Sequence, residues 1–141
     1  MLDITELKDL QSRMQQLLIE QQALLDNGLV GIMTASDRTI VWANRALENM
    51  LGYGRGELSG RPTQAGYPSA QAYADFSTAA YPVLQAGGVF RAQVEYVRKD
   101  GVPIWMDVSG ARLESHAGDS LWCFVDITER VRQEHQLEAQ R

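Results

Sequence analysis

Trp122-Cys-Phe-Val-Asp-Ile-Thr-Glu-Arg130 passes from a largely apolar run into a polar, helix-favouring one, and its Asp-Ile-Thr-Glu portion occurs a second time at Asp3 to Glu6. Each copy follows an apolar residue, Val125 or Leu2, and each opens a helical pattern, residues 130–141 and 7–25. This is the chemistry of a strand-to-helix junction. An Asp carboxylate accepts the free backbone N–H groups of a first helical turn, and a Glu three residues later reaches back to close a capping box. The copies stand roughly 120 residues apart, the length of one small domain. The repeat predicts one unit of a tandem array, preceded by the end of its predecessor's last strand.

Between the copies the chain has room for one domain. Of its 141 residues 45% are hydrophobic, enough for a core, and 22% are charged, as in ordinary globular proteins. A net charge of −5 argues against nucleic acid, which calls for clustered Lys and Arg. No signal peptide and no long apolar run is present, so no membrane span is expected in this segment. The single Cys123 excludes an internal disulfide and suits a reducing, cytoplasmic setting. His116 and His135 stand apart, in a turn and a terminal helix, and are a poor start for a metal site.

Leu7, Leu10, Met14, Leu17, Gln21 and Leu24 alternate steps of three and four, a heptad seam with one polar member. Leu18 and Leu25 widen the stripe. A helix of about twenty residues is marginal alone in water, so this one needs a partner; the seam predicts a homodimer. Asn27-Gly28 closes the helix. Residues 29–36 and 39–43 read as strands joined by a turn at Asp37-Arg38. Asn44 is the N-cap of a helix over 45–51 that stops at Gly52. The glycine-rich stretch 52–60 has no following lysine and no clean strand before it, so it reads as short turns rather than a phosphate loop. A helix over 70–85 carries Tyr73, Phe76, Ala80 and Leu84 on one face. Residues 89–98, 102–113 and 120–127 are three further strands, the first two joined at Asp100-Gly101, the strongest short hairpin signal in the chain. The order β-β-helices-β-β-β is an α+β domain with its helices inserted between the second and third strands.

That order, with particular residues in it, resembles the PAS domain, a sensory module of bacterial signalling proteins. The matching residues are Asn44 and Ala46, then Gly52-Tyr53, Glu57-Leu58 and Gly60, then Arg98-Lys-Asp-Gly101, Trp105, Trp122 and Asp126-Ile-Thr-Glu-Arg130. The resemblance covers residues 25–130. It implies a PAS fold: a five-stranded antiparallel sheet with helices on one face, flanked by N-terminal and C-terminal signalling helices. The domain boundaries it suggests are 1–26 for the first helix, 27–128 for the core and 129–141 for the start of the exit helix. The output domain of such a protein, a histidine kinase, a diguanylate cyclase or phosphodiesterase, or a chemoreceptor, would lie outside this segment.

The resemblance implies a pocket between sheet and long helix. Alternation then assigns ligand contacts to Phe90, Val94, Tyr96, Ile104, Met106, Val108, Trp122 and Phe124, facing Tyr73, Phe76 and Leu84. The same residues equally fill a plain core. Tyr73, Tyr96 and the Trp122 N–H are the expected orienting hydrogen-bond groups. Light-sensing flavin members carry a cysteine in an Asn-Cys-Arg context, whereas residues 60–63 have none, and haem members use a pocket-helix histidine, which residues 68–85 lack. Covalent flavin and haem are therefore disfavoured, and a non-covalent organic ligand stays open. Asp107 and Ser109 share a strand face with Trp105 without an activating His or Lys, so no catalytic site is expected in the segment. Asp126, Thr128 and Glu129 are the expected signal-coupling residues, since the last strand borders the pocket and feeds the exit helix. Leu7, Leu10, Met14, Leu17 and Leu24 are the expected dimer contacts. The alternative is a ligand-free dimerisation module within a tandem array.

Overall fold

The structure, a computed structural model, describes residues 3–25, 28–114 and 118–140. The side chains of residues 22–25, among them Leu24 and Leu25, lie outside the described residues, as do Asn27, His116 and Arg141. Among the described residues, β1 (Gly31–Ser36), β2 (Thr39–Ala43), β3 (Val89–Val97), β4 (Pro103–Arg112) and β5 (Asp119–Asp126) form one antiparallel sheet in the order β2-β1-β5-β4-β3. The first and last strands thus lie side by side, and chain entry and exit share one region of the sheet. The helices are α1 (Ile4–Leu25), α2 (Arg45–Leu51), α3 (Ala70–Gln85) and α4 (Thr128–Ala139), with a 3-10 turn at Thr63–Gly66.

Local sequence explains most element ends. The Asn44 side chain accepts from Leu47 N–H at 3.0 Å and caps α2, and Gly52 ends the helix in the left-handed conformation at φ 80°. Ser69 caps α3 in the same way, accepting from Ala72 N–H. The β1–β2 turn places both Asp37 and Arg38 at positive φ, the geometry that a two-residue hairpin needs to match strand twist. Asp37 N–H donates to the Gly118 carbonyl and the Arg38 carbonyl accepts from Thr63 N–H, which holds this otherwise costly conformation. β1 begins at Gly31, two residues later than the sequence suggests. Its pairing with β5 starts there, and a Cβ on Gly31 would come within 3.0 Å of Leu47, so the missing side chain lets α2 lie on the strand.

The sheet is two-faced. Ile104, Met106 and Val108 are buried on the helix-covered side, with Tyr96, Trp122 and Phe124 from the neighbouring strands. Gly110 sits opposite Trp122 on that side, and a Cβ there would fall 2.2 Å from the indole ring. The glycine is the space in which the indole lies. On the other face Asp107, rather than standing free, accepts two bonds from the Arg91 guanidinium at 3.1 and 2.6 Å. That guanidinium holds the Asp107 carboxyl below its ordinary value, so the carboxylate is committed to a cross-strand pair. Cys123, half-buried on this face, has its thiol pushed up by burial. The glycine-rich connection is packed rather than loose: Gly56 N–H donates to the buried Glu48 carboxylate, Leu58 and Tyr53 are buried, and Lys99 of the β3–β4 turn pairs with Glu57.

α1 stands apart from this core. Every described side chain from Asp3 to Gln21 is exposed, with Leu10 at 44% and Leu17 at 59%.

Candidate functional site

A cavity of about 50 Å³ lies between the helix layer and the β2-β1-β5 half of the sheet. Its walls come from Met33 and Ile40 of the first hairpin, Leu47 and Leu51 one turn apart on α2, Tyr53 and Leu58 of the connection, and the Thr63–Tyr67 corner. α3 contributes Tyr73, Phe76, Ser77 and Tyr81, β5 contributes Trp122 and Phe124, and β3 contributes Tyr96. Of the residues that the sequence assigns to a ligand, Tyr73, Phe76, Tyr96, Trp122 and Phe124 line this space. Leu84, Ile104, Met106 and Val108 are buried in the core away from it, and Phe90 and Val94 pack against that core from the β3 side.

The wall is aromatic and internally bonded. Tyr67 is its hub, with ring centroids 5.0 Å from Tyr73, 5.5 Å from Phe76 and 4.9 Å from Tyr96. The three groups expected to orient a ligand are already engaged: Tyr73 OH with Thr63 Oγ1 at 2.7 Å, Tyr96 OH with Tyr67 OH at 3.3 Å, and Trp122 Nε1–H donating to Ser120 Oγ at 2.8 Å. Burial raises the phenols of Tyr67, Tyr81 and Tyr96 above their ordinary value, so these hydroxyls stay protonated at neutral pH. At the rim, the Arg38 guanidinium stands 4.5 Å from the Tyr81 ring centroid.

The pattern read from the sequence points to the longer helix and leaves α2 and the connection out of the pocket wall. The signal was present: Leu47 and Leu51 share a helix face, and Tyr53, Leu58 and Tyr67 are large apolar groups in stretches otherwise rich in Gly and polar residues. Among the described residues no group of His, Cys, Asp and Glu is placed to hold a metal ion.

The second Asp-Ile-Thr-Glu copy forms the exit. Thr128 Oγ1 accepts from Trp105 N–H at 3.0 Å and donates to Asp126 Oδ1 at 2.6 Å, and Ile127 N–H donates to the Trp105 carbonyl at 2.9 Å. The same Asp126 oxygen accepts from Thr128 N–H at 2.9 Å. The root of α4 is thus clasped to the backbone of one β4 residue, whose neighbours Ile104 and Met106 are buried in the core, and Val131 is buried one turn further on. Glu129 is exposed, and neither it nor Glu6 closes the capping box expected from the sequence.

A family model described as PAS domain matches residues 27–129. The chain is 28% identical over 120 residues to the sensor protein TdiS of Thauera aromatica, a match that covers 84% of this chain and 22% of that protein, so it spans about a fifth of this curated relative. Among solved structures, it is similar to the PAS domain of a LuxR-family transcriptional regulator from Burkholderia thailandensis in complex with ethanol. That likeness has a TM-score of 0.64 and 27% identity, and covers 70% of this chain and 88% of the other. A PAS domain from Colwellia psychrerythraea shares the fold with a TM-score of 0.73 at 17% identity, covering 81% of this chain and 99% of the other.

Proposed function

The chain belongs to the PAS domain family, and from that premise we propose that it is a sensory relay domain: a small molecule in the cavity, or a conformational change upstream, shifts the exit helix α4 and through it a downstream output domain. The observation that carries this reading is the Thr128 clasp. Trp105 lies between two core residues and holds both Ile127 and Thr128, so a change in how β4 sits over the core moves the first turn of α4. A ligand drives such a shift only by binding one state more tightly than the other. The Burkholderia neighbour, solved with ethanol, supports a small organic occupant, and the likeness to TdiS supports a sensor.

The exposed α1 seam favours a homodimer as the unit that relays the signal. Neighbouring PAS domains and an output enzyme such as a histidine kinase or diguanylate cyclase fit as partners in the same polypeptide. No helix among the described residues is long and apolar enough to cross a membrane.

Two measurements test the proposal. Native mass spectrometry of the gently purified chain is expected to give a dimer with a stoichiometric small adduct; a bare dimer from every host tried would favour the ligand-free relay. Thr128→Val keeps the side-chain shape and removes the hydroxyl half of the clasp, leaving the Ile127 N–H bond, at a cost of about 1–2 kcal/mol for the Trp105 N–H left unmade. Amide exchange in the first turn of α4 should then accelerate while the cavity wall keeps its protection. Unchanged exchange in α4 would show that the clasp does not set the position of the helix.

A further inference from the structure

We propose that the cavity takes a small neutral molecule with one hydroxyl or carbonyl group beside a short apolar part, and that Ser77 selects it. The proposal rests on the reading of this chain as a ligand sensor and adds the chemical class of the ligand.

Ser77 lies on α3 in the cavity wall, 7% exposed, and its hydroxyl has no hydrogen-bond partner. Buried hydroxyls are rarely left unmade, because a lost bond to water is not replaced. A serine in a helix normally has recourse to the carbonyl one turn back, as the neighbouring Thr78 does with Ala74 at 2.9 Å, yet Ser77 does not take it. The other polar groups that could have served, on Tyr73, Tyr96 and Trp122, are satisfied within the protein. Among the described wall residues, Ser77 thus carries a buried hydroxyl that makes no hydrogen bond within the protein, and it can serve a guest as donor or acceptor.

Charge and size narrow the class. Among the described residues no Asp, Glu, Lys, Arg or His lines the cavity, and the Arg38 guanidinium at the rim lies over the Tyr81 ring, so an ionised guest would be buried without a counter-charge in the wall. At about 10–15 Å³ for each water-sized occupant, 50 Å³ holds roughly three to five non-hydrogen atoms. A benzene-sized ring wants a cavity of about 150 Å³ and does not fit these walls unmoved. What remains is a short alcohol, aldehyde or ketone.

The test is a titration of the full chain by two-dimensional NMR with 1-propanol, acetate and xenon, in the native sequence and in Ser77→Ala. Ser77→Ala removes an unmade polar group and installs a better helix former, so the variant folds. 1-Propanol is expected to shift the Trp122 indole N–H and the Tyr96 amide saturably, and acetate to leave them unmoved. Ser77→Ala should weaken 1-propanol about five- to tenfold, the loss of one hydrogen bond, while xenon, which needs only apolar space, binds as before. Equal affinity for 1-propanol in both proteins, or binding of acetate at the same site, would overturn the assignment to Ser77 and to neutral ligands while leaving the cavity a binding site. If neither 1-propanol nor xenon shifts the wall resonances of the native chain, the sensor reading itself fails and takes this proposal with it.

Discussion

Asn44→Ala is expected to lower the unfolding midpoint by roughly 15 °C, a large loss for the truncation of a single buried polar side chain in a domain of this size. Asn44 is 1% exposed and serves two elements at once. Its Oδ1 accepts from Leu47 N–H in the first turn of α2 and from Ile32 N–H of β1 at 2.9 Å, and its Nδ2 donates to the Val30 carbonyl at 3.0 Å. Loss of the cap costs about 1 kcal/mol, and the Ile32 N–H of β1 and the Val30 carbonyl just before it, each losing its bond to Asn44, cost about 1.5 kcal/mol each, near 4 kcal/mol together. A domain with a total stability of about 5–15 kcal/mol feels that strongly. Asn49, exposed on the same helix, is the control: Asn49→Ala should change stability by less than about 0.5 kcal/mol. Thermal unfolding followed by circular dichroism decides the matter. A fall of under about 4 °C for Asn44→Ala would mean that the side chain caps α2 without tying it to β1.

The second large effect concerns assembly. Leu10→Glu combined with Leu17→Glu should convert the proposed dimer to monomer, read by sedimentation or light scattering. In a paired seam the two substitutions remove four leucines at about 2 kcal/mol each, or roughly 8 kcal/mol and nearly six decades in Kd, before any cost of burying carboxylates. The described α1 side chains are all exposed in the single chain, so the core's own thermal transition should survive the double substitution unless dimerisation itself stabilises it. A protein that remains dimeric would place the interface elsewhere, with the sheet's outer face, where Trp42 and Val125 are exposed, as the next surface to test.

How far the sequence reaches can be judged residue by residue. Strands, hairpin turns and the α2 cap follow from interactions within a few positions, and these were legible: the Asn44 cap, the helix stop at Gly52 and the alternating burial of β4 all lie where local pattern puts them. Of the eleven ligand residues expected from the sequence, five line the cavity and six do not. Alternation reports which face a side chain takes, not where along the sheet a second layer leaves a gap. That gap lies under α2 and the Tyr53–Tyr67 connection, over the β2-β1-β5 half, a placement fixed by strand order and by the close approach of Leu47 to Gly31.

The two copies of Asp-Ile-Thr-Glu mark the boundary between what sequence and tertiary structure decide. Both were legible as helix starts, and both start helices. In the first, with no sheet beneath it, Asp3 caps the helix directly by accepting from Glu6 N–H at 2.8 Å, and the helix begins at Ile4. In the second, Trp105 claims Ile127 N–H and the Thr128 hydroxyl, Ile127 turns into the core, and the helix begins one position later, with Asp126 bonded to Thr128 instead. The same holds for Ser77. The sequence places it on a helix, but only the packing of that helix against the sheet closes the hydroxyl off from water and leaves it facing a cavity. Local chemistry determined that these residues would begin or occupy helices; which partner each side chain would find was set by distant backbone brought within hydrogen-bond reach, and that depends on how the strands are ordered.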